Sequence, residues 1–443
     1  MKSLSASLAI TGAVYLAATV MLAITQAPLG SPVFFACAAA ATVAYLWMLG
    51  RIWNETHAPR RLLAAAFVLA VAFRAPSAAS RVSADSDMVR YLWDGRVQLL
   101  GYNPYLVVPA DPAMAAAHTA ETRRMPSLRT PTPYPPGAQL FFRLVVWIHD
   151  STRAMKLALV ACDVMTMIVL WRWLACTGRS EWLALAYAWN PLVVLEVAHS
   201  GHIDALGALW ITASAFWLAR RRTALASIAF VLAVATKLLP IVLVPLYWKR
   251  VRARDALAGS ALLALLYLTF TRGGSLPFGA VPNVVAYIRF NGPLFRAIAW
   301  LFGSPQAAAL IAVASGTLVA AWARWRLDAG DPAAWAWPMA IALACAPVIY
   351  PWYLLYLTPF LFTVATWPLT AWTLSVMATY TVWHISRHGG RWFVPTAVLW
   401  IEYALPVALG ALMLLRRVSS FPHLVEQGNG REPDGGYPRT PLK

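Results

Sequence analysis

The sequence predicts an all-α polytopic integral membrane protein. Of its 443 residues, 60% are hydrophobic and only 12% are charged, and the mean hydropathy is +0.60. A soluble domain carries about 25% charged residues. Apolar runs of roughly 20 residues recur along the chain, and shorter runs interrupted by proline are typical of broken or re-entrant helices. By this length rule we predict about 11 to 13 transmembrane helices.

The first apolar run, over 8–25, follows a single Lys2 and shows no small-residue cleavage site, so we interpret it as a retained helix. Four cysteines are scattered among apolar segments, which predicts neither a disulfide framework nor a metal site.

The net charge of +18 comes from basic residues in short loops between the apolar runs. This is the positive-inside pattern of membrane proteins. Anionic lipid headgroups account for such charges, and no nucleic acid is needed as a partner. The cytoplasmic loops so defined carry Arg51, Arg60, Arg61, Arg220, Arg221, Arg222, Lys249, Arg250, Arg252, Arg254, Arg416 and Arg417.

These anchors place the N-terminus inside and the polar segment 79–137 outside. Two further loops, over 190–204 and 272–296, and a tight turn over 350–353 fall on the same outer face. We therefore predict one transmembrane domain over 1–418, with 79–137 as its extracytoplasmic loop. The tail over 419–443 is rich in glycine, proline and charge, which predicts a disordered cytoplasmic extension.

The outer segment contains the carboxylates best placed for chemistry: Asp87 first, then Asp85 and Asp94. A carboxylate at the water–lipid boundary can act as a general base towards a sugar hydroxyl. The alternative is that these aspartates solvate a loop or cap a helix. Asp85 and Asp87 also resemble a metal-binding DxD triplet, but an outer loop would not normally meet nucleotide-linked donors, so we predict no metal site.

Cations and aromatic rings surround these carboxylates. Guanidinium groups pair with phosphate oxygens, and aromatic faces stack on sugars, so the set is a candidate substrate site. The alternative is an interfacial aromatic belt with snorkelling arginines. The residues are Arg90, Tyr91, Trp93 and Arg96.

Further candidates lie in two proline-stiffened turns and in a later outer loop. Asn103, Tyr105 and Tyr134 stand beside prolines that fix the turns, so they either shape a pocket wall or only stiffen the loop. His202 and Asp204 are candidates for binding hydroxyls or assisting the base; the alternative is a hydrogen-bonded pair at the end of the bundle.

Lys237 is the strongest intramembrane candidate, because a charged residue at a helix centre costs roughly 2.5 to 3.5 kcal/mol on insertion scales. It falls between two half-length apolar segments, and Pro240 and Pro245 favour a broken hairpin that carries the ammonium towards the outer face. We expect it to bind a phosphate. Arg289 is an alternative for the same role.

Four segments carry a resemblance to a known family. They read DMVRYLWDGRVQLLGYNPY, TPYPPGAQLFF, WNPLVVLEVAHSGHIDALG and PWYLLYLTPFL, in that order along the chain. Together they resemble the GT-C glycosyltransferases, most closely the bacterial polyprenol-phosphate-mannose-dependent α-mannosyltransferases.

The resemblance implies a GT-C-like bundle in the cytoplasmic membrane, an extracytoplasmic active site and inversion at the anomeric carbon. The family's catalytic aspartate matches Asp87 here, and its Lys-x-x-Pro segment matches 237–240. One departure is Ile203, which stands where relatives often have asparagine.

Our leading hypothesis is an inverting glycosyltransferase that moves mannose from a polyprenyl phosphate to a lipid-linked glycan or glycolipid and needs no cofactor. Asp87 would be the base, Arg90, Lys237 and Arg289 would hold the phosphate, and Trp93, Tyr105 and Tyr134 would line the sugar site. The alternative is a transporter or flippase, which predicts essential polar groups near the bilayer midplane and tolerance at the loop aspartates.

Overall fold

The computed structural model describes residues 2–80, 86–271 and 276–428. Its regular structure is helical, and an isolated parallel β-bridge joins Phe290 to Val348. Six helices among the described residues are long and apolar enough to cross a membrane, and six shorter apolar helices accompany them. The protein is therefore a polytopic membrane protein.

The α-helices are numbered here in chain order. They are α1 (Lys2–Thr25), α2 (Pro32–Ile52), α3 (Arg60–Ala79), α4 (Asp87–Leu99), α5 (Pro136–Ile148), α6 (Thr152–Cys176), α7 (Leu185–Ala188), α8 (Pro191–Val194), α9 (Asp204–Ala219), α10 (Thr223–Thr236), α11 (Ala253–Leu268), α12 (Val281–Tyr287), α13 (Pro293–Phe302), α14 (Pro305–Arg326), α15 (Ala333–Ala344), α16 (Trp367–Ser375), α17 (Thr381–Arg387) and α18 (Thr396–Gly428). The candidate membrane spans lie in α1, α2, α3, α6, α14 and α18.

Short 3-10 and π segments connect these helices. The 3-10 helices are Pro112–Ala117, Thr122–Arg124, Glu181–Ala184, Leu239–Tyr247, Pro351–Tyr356, Thr358–Phe360, Val364–Thr366 and Val376–Tyr380. A π-helix covers Leu195–Ser200. Helix α18 continues ten residues into the segment for which a disordered tail is predicted, and 429–443 lie outside the described residues, so the boundary at 418 stays a prediction.

A buried ion pair ties the membrane helices beneath the site together. The guanidinium of Arg74 in α3 pairs with the carboxylate of Asp163 in α6, and both side chains are excluded from solvent. Arg74 also donates to the carbonyl oxygen of Ala188 at 2.9 Å, and the hydroxyl of Tyr187 donates to Asp163 at 2.7 Å. The network thereby joins α3, α6 and α7.

Replacing Asp163 with alanine is expected to lower the free energy of unfolding by about 3–5 kcal/mol, because it leaves the Arg74 guanidinium buried without its counter-charge. Thermal unfolding of the detergent-purified protein, followed by tryptophan fluorescence, measures the loss. The double variant with leucine at both positions is the control, and it should be more stable than the single variant. An unchanged Tm in the single variant would contradict this role.

Candidate active site

Helix α4 presents the first-choice carboxylate at its N-terminus. The hydroxyl of Ser86 caps the helix by accepting from the amide of Met88 at 3.2 Å, so Asp87 is not the cap. Ser86 also donates to the carbonyl oxygen of Ser200 at 3.2 Å, which fixes α4 against the π-helix. Asp87 is half-buried, and the residues that the structure describes offer it no hydrogen bond or ion pair. Asp85 lies outside the described residues.

Asp94, by contrast, is fully engaged. Its buried carboxylate accepts from Arg90 at 2.7 Å, from Thr132 at 2.7 Å and from Gln139 at 2.8 Å. Arg90 donates in addition to the carbonyl oxygen of Thr130 at 3.1 Å. These contacts attach the outer segment to α4 and α5, which is a structural role.

Two further candidates, Trp93 and Arg96, are also held by contacts within the protein. Trp93 is fully buried in a small apolar cluster with Val89, Val97, Met114, Ala117 and Met125. Arg96 forms a two-pronged ion pair with Asp150, at 2.7 and 2.8 Å. Their positions indicate that they stabilise the fold of this segment.

The proline-stiffened turns are held in a similar way. The amide of Asn103 donates to the carbonyl oxygen of Phe270 at 2.7 Å. The hydroxyl of Tyr105 donates to the carbonyl oxygen of Tyr134 at 2.6 Å. Tyr105 thus supports the backbone of Tyr134, which lies nearer to Asp87.

Two tyrosines form an aromatic wall beside Asp87. Tyr91 stacks on Phe142 with 4.4 Å between ring centroids, and the edge of Tyr134 meets Tyr91 at 5.1 Å. Burial raises the pKa of Tyr134 well above its ordinary value, and the nearby charge of Asp87 raises it further. The Tyr134 phenol is therefore neutral at pH 7 and, being only partly buried, can give a hydrogen bond to a sugar oxygen, whereas Tyr91 is fully buried behind it.

The π-helix ends where the loop turns back into the site. Gly201 has a φ of +76°, and a Cβ there would lie 1.9 Å from the terminal methyl of Met88. The left-handed backbone favours glycine, and any larger residue would also require the Met88 side chain to move. The amides of Gly201 and His202 both donate to the carbonyl oxygen of Glu196 at 3.0 Å. The turn places the His202 Nδ1 atom 2.7 Å from Oε2 of the buried Glu196.

His202 is packed as a neutral ring. Its plane lies parallel to Trp352 with 4.0 Å between centroids, and Trp352 stacks in turn on Tyr350 at 4.4 Å. Burial lowers the pKa of His202 to about 4, although Asp87 and Asp204 act to raise it. The imidazole is therefore uncharged at neutral pH and can exchange hydrogen bonds with hydroxyl groups.

The predicted interruption at Lys237 is present. Helix α10 ends at Thr236, Lys237 is extended with φ −158° and ψ 145°, and a 3-10 helix begins at Leu239. The ammonium lies 2.6 Å from Asp204 and 3.8 Å from the ring centroid of Tyr353. Lys237 remains 21% exposed, whereas Asp204 is only 1% exposed. The cation is held in position and still open to a ligand.

Arg289 is engaged at a helix end. Its guanidinium donates to the carbonyl oxygens of Val285 and Ala286 in α12 and of Ile288 just after it, and it lies over the ring of Phe295 at 4.8 Å. A cation in this place stabilises the helix C-terminus.

The structure thus brings one part of the predicted set together: Asp87, Tyr91, Tyr134, His202, Asp204 and Lys237. It adds Glu196, Trp352 and Tyr353. Ile203, the departure from the family pattern, is fully buried, and its amide donates to the Tyr91 hydroxyl at 3.3 Å. Among the described residues no cluster suited to a metal ion occurs.

An open carboxylate, a paired cation and neutral hydrogen-bonding rings at the end of a helical membrane bundle are features of a membrane transferase that acts on a charged, hydroxylated substrate. Residues 3–251 match the family model described as alpha-(1->6)-mannopyranosyltransferase, N-terminal domain. The match covers more than half of the chain, and the chain belongs to this family. No curated protein and no solved structure matched in the same comparisons.

The protein is accordingly a mannosyltransferase that uses polyprenyl-phosphate mannose to extend envelope glycans. The resemblance seen in the sequence is confirmed, as is the prediction of an enzyme. The family match also decides against the transporter alternative, because the family's activity is sugar transfer.

Proposed function

We propose that the enzyme transfers mannose to a lipid-linked glycan at the outer face of the cytoplasmic membrane, with Asp87 as the general base. The observation that carries this proposal is the state of Asp87: it is half-buried and free of protein partners in the described structure, while Asp94 and Asp204 are engaged. The α-(1→6) linkage in the family's description indicates that the acceptor is the primary O6 hydroxyl of a sugar.

In the proposed reaction, the acceptor oxygen forms a bond to the anomeric carbon of mannose as the bond from that carbon to the phosphate oxygen breaks. Asp87 takes the hydroxyl proton, and the polyprenyl phosphate leaves with the electron pair. Attack from the face opposite the phosphate inverts the anomeric centre. Lys237 faces the phosphate and stabilises the charge that develops on it.

Asp204, His202 and Tyr134 have supporting roles. Asp204 keeps the Lys237 ammonium oriented by a 2.6 Å ion pair. His202 and Tyr134, both neutral, bind sugar hydroxyls, and no redox or organic cofactor is required.

A small apolar cavity of about 30 Å³ lies beside the π-helix. It lies between α1, α2, α3 and the π-helix, and its lining includes Leu22, Cys37, Leu195 and His199. Glu196, next to Leu195, contacts His202 of the polar site. The π-helix thereby separates this small apolar cavity from the polar site.

The proposed architecture is a GT-C-like bundle with the segment 79–137 folded over its outer end. Six long and six shorter apolar helices in the described ranges support about 11 to 13 membrane segments. Interrupted helices at Lys237 and at Leu195–Ser200 support re-entrant elements that line the site.

The test is mannose transfer by the purified protein in proteoliposomes. Radiolabelled polyprenyl-phosphate mannose is offered with a lipid-linked oligomannoside, and nucleotide-linked mannose serves as the control donor. We expect label in α-(1→6)-linked product from the polyprenyl donor alone. Label from the nucleotide donor alone, or movement of the donor across the bilayer without transfer, would overturn the proposal.

A further inference from the structure

Helix α18 carries a carboxylate inside its candidate membrane span. Glu402 is fully buried within the span Thr396–Leu415. An ionisable side chain is costly inside a membrane, so such residues usually have a function. It lies outside the part of the chain that matches the family model. Its Oε1 atom accepts from the amide of Asn291 at 3.0 Å and from the indole of Trp372 at 2.8 Å.

Asn291 is the first link from this carboxylate towards the site. It has a φ of +57°, and its amide also donates to the carbonyl oxygen of Ile349 at 3.3 Å. The hydroxyl of Tyr403, next to Glu402, donates to the carbonyl oxygen of Asn291 at 3.1 Å. Helix α18 therefore holds both ends of this residue.

The segment around Asn291 is clamped along 346–349. The amide of Phe290 donates to the carbonyl oxygen of Pro347 at 3.1 Å. The amide of Ile349 donates to the carbonyl oxygen of Phe290 at 2.9 Å. A Cβ on Gly292 would lie 2.6 Å from the carbonyl oxygen of Ala346, so the two backbones touch. Any shift at Asn291 must therefore move the chain that leads into Tyr350.

Stacked rings complete the path. Phe290 lies on Tyr350 at 4.5 Å, Tyr350 on Trp352 at 4.4 Å, and Trp352 on His202 at 4.0 Å. The adjoining Tyr353 ring lies 3.8 Å from the Lys237 ammonium. The aromatic segment over 350–353 thus sets the positions of both His202 and Lys237.

We propose that Glu402 is a positioning residue for sugar transfer: through Asn291 it fixes the aromatic segment 350–353 against His202 and Lys237. The inference rests on the proposed function, since it assigns this network to the reaction at Asp87. Close-packed segments transmit small shifts, and misplacement of a reacting group by about 1 Å can cost on the order of a hundredfold in rate.

Kinetics of purified variants test the inference. Glu402→Ala should lower kcat per folded enzyme about tenfold and change the donor KM by less than about twofold, because Lys237 keeps Asp204. Glu402→Gln keeps the accepting Oε1 and should retain kcat within about twofold. Ser375→Ala, which removes a 2.7 Å bond to the Glu402 carbonyl oxygen and a 3.4 Å bond to the Trp372 carbonyl oxygen but leaves the Glu402 side chain in place, is the matched control. It should resemble wild type.

A second variant keeps the test decisive if Glu402→Ala does not fold. Asn291→Gly removes the side chain and tolerates the positive φ, so it should lose kcat as Glu402→Ala does. The double variant should lose little more, as expected of residues that act through one contact. Wild-type kcat in folded Glu402→Ala or Asn291→Gly, additive losses, or a Gln variant as impaired as the Ala variant would each overturn the inference. Absence of transfer by the wild type would instead refute the proposed function.

Discussion

Changing Asp87 to asparagine is expected to lower kcat for mannose transfer by about 10²- to 10⁴-fold, the usual contribution of a general base. The amide keeps the size of the side chain but cannot take the hydroxyl proton. Because Asp87 has no hydrogen bond or ion pair with the described residues, the change should leave folding unaltered. Initial rates at saturating donor and acceptor, with equal amounts of folded protein, measure the effect.

Two further aspartates make this experiment selective. Asp111→Asn alters a carboxylate of the same outer segment that accepts from the amide of Ala113 at 2.9 Å, and it should keep wild-type activity. Asp85→Asn separates the two members of the acidic triplet. Loss of kcat in the Asp85 variant together with activity in the Asp87 variant would move the base to Asp85.

Changing Lys237 to methionine is expected to lower kcat/KM for the polyprenyl donor by about 10²- to 10³-fold, because a positioned charge at the leaving phosphate is lost. Part of the loss should appear as a raised donor KM, since the ammonium also binds the phosphate of the ground state. Initial rates across a range of donor concentrations separate the two contributions.

The same change leaves the buried carboxylate of Asp204 without its 2.6 Å partner, so stability must be measured in parallel. The double variant Lys237→Met with Asp204→Asn removes that unpaired charge and should regain part of the lost Tm. It should not regain activity. Recovery of transfer in the double variant would show that Lys237 serves only to balance Asp204.

The sequence predicted those features of the site that depend only on neighbouring residues in the chain. Pro240 and a lone lysine between two short apolar segments predicted the break at Lys237, and the structure has it. The position of Asp87 just beyond an apolar run predicted a carboxylate at the water–lipid boundary, and the structure places it in the first turn of α4.

Within α4, closeness to Asp87 in the sequence did not predict closeness to it in space. Arg96 lies nine residues after Asp87, which is two and a half helical turns at 3.6 residues per turn, so it emerges on the opposite side. Asp94 shares the side of Asp87 but stands about 10 Å further along the axis. There it meets Arg90 and Gln139 in a buried network.

Long-range pairings could not be read from the sequence. The stack of Trp352 on His202 joins residues far apart in the chain, and no periodicity specifies such a contact. Glu402 did leave a signal, because it is an acidic residue within the last apolar run. Its link to Asn291 nevertheless depends on how α18 packs against the preceding loop.

The most direct test of Asp87 as the general base is a single-turnover measurement that compares wild type with Asp87→Asn. The enzyme is in excess over radiolabelled polyprenyl-phosphate mannose, and the acceptor is saturating. Donor binding is followed in the same samples by retention of label on the protein before acceptor is added. We expect equal donor binding in the two proteins and a transfer rate lowered by at least about a hundredfold in Asp87→Asn. Equal transfer rates in the two proteins would contradict the assignment of Asp87 as the base.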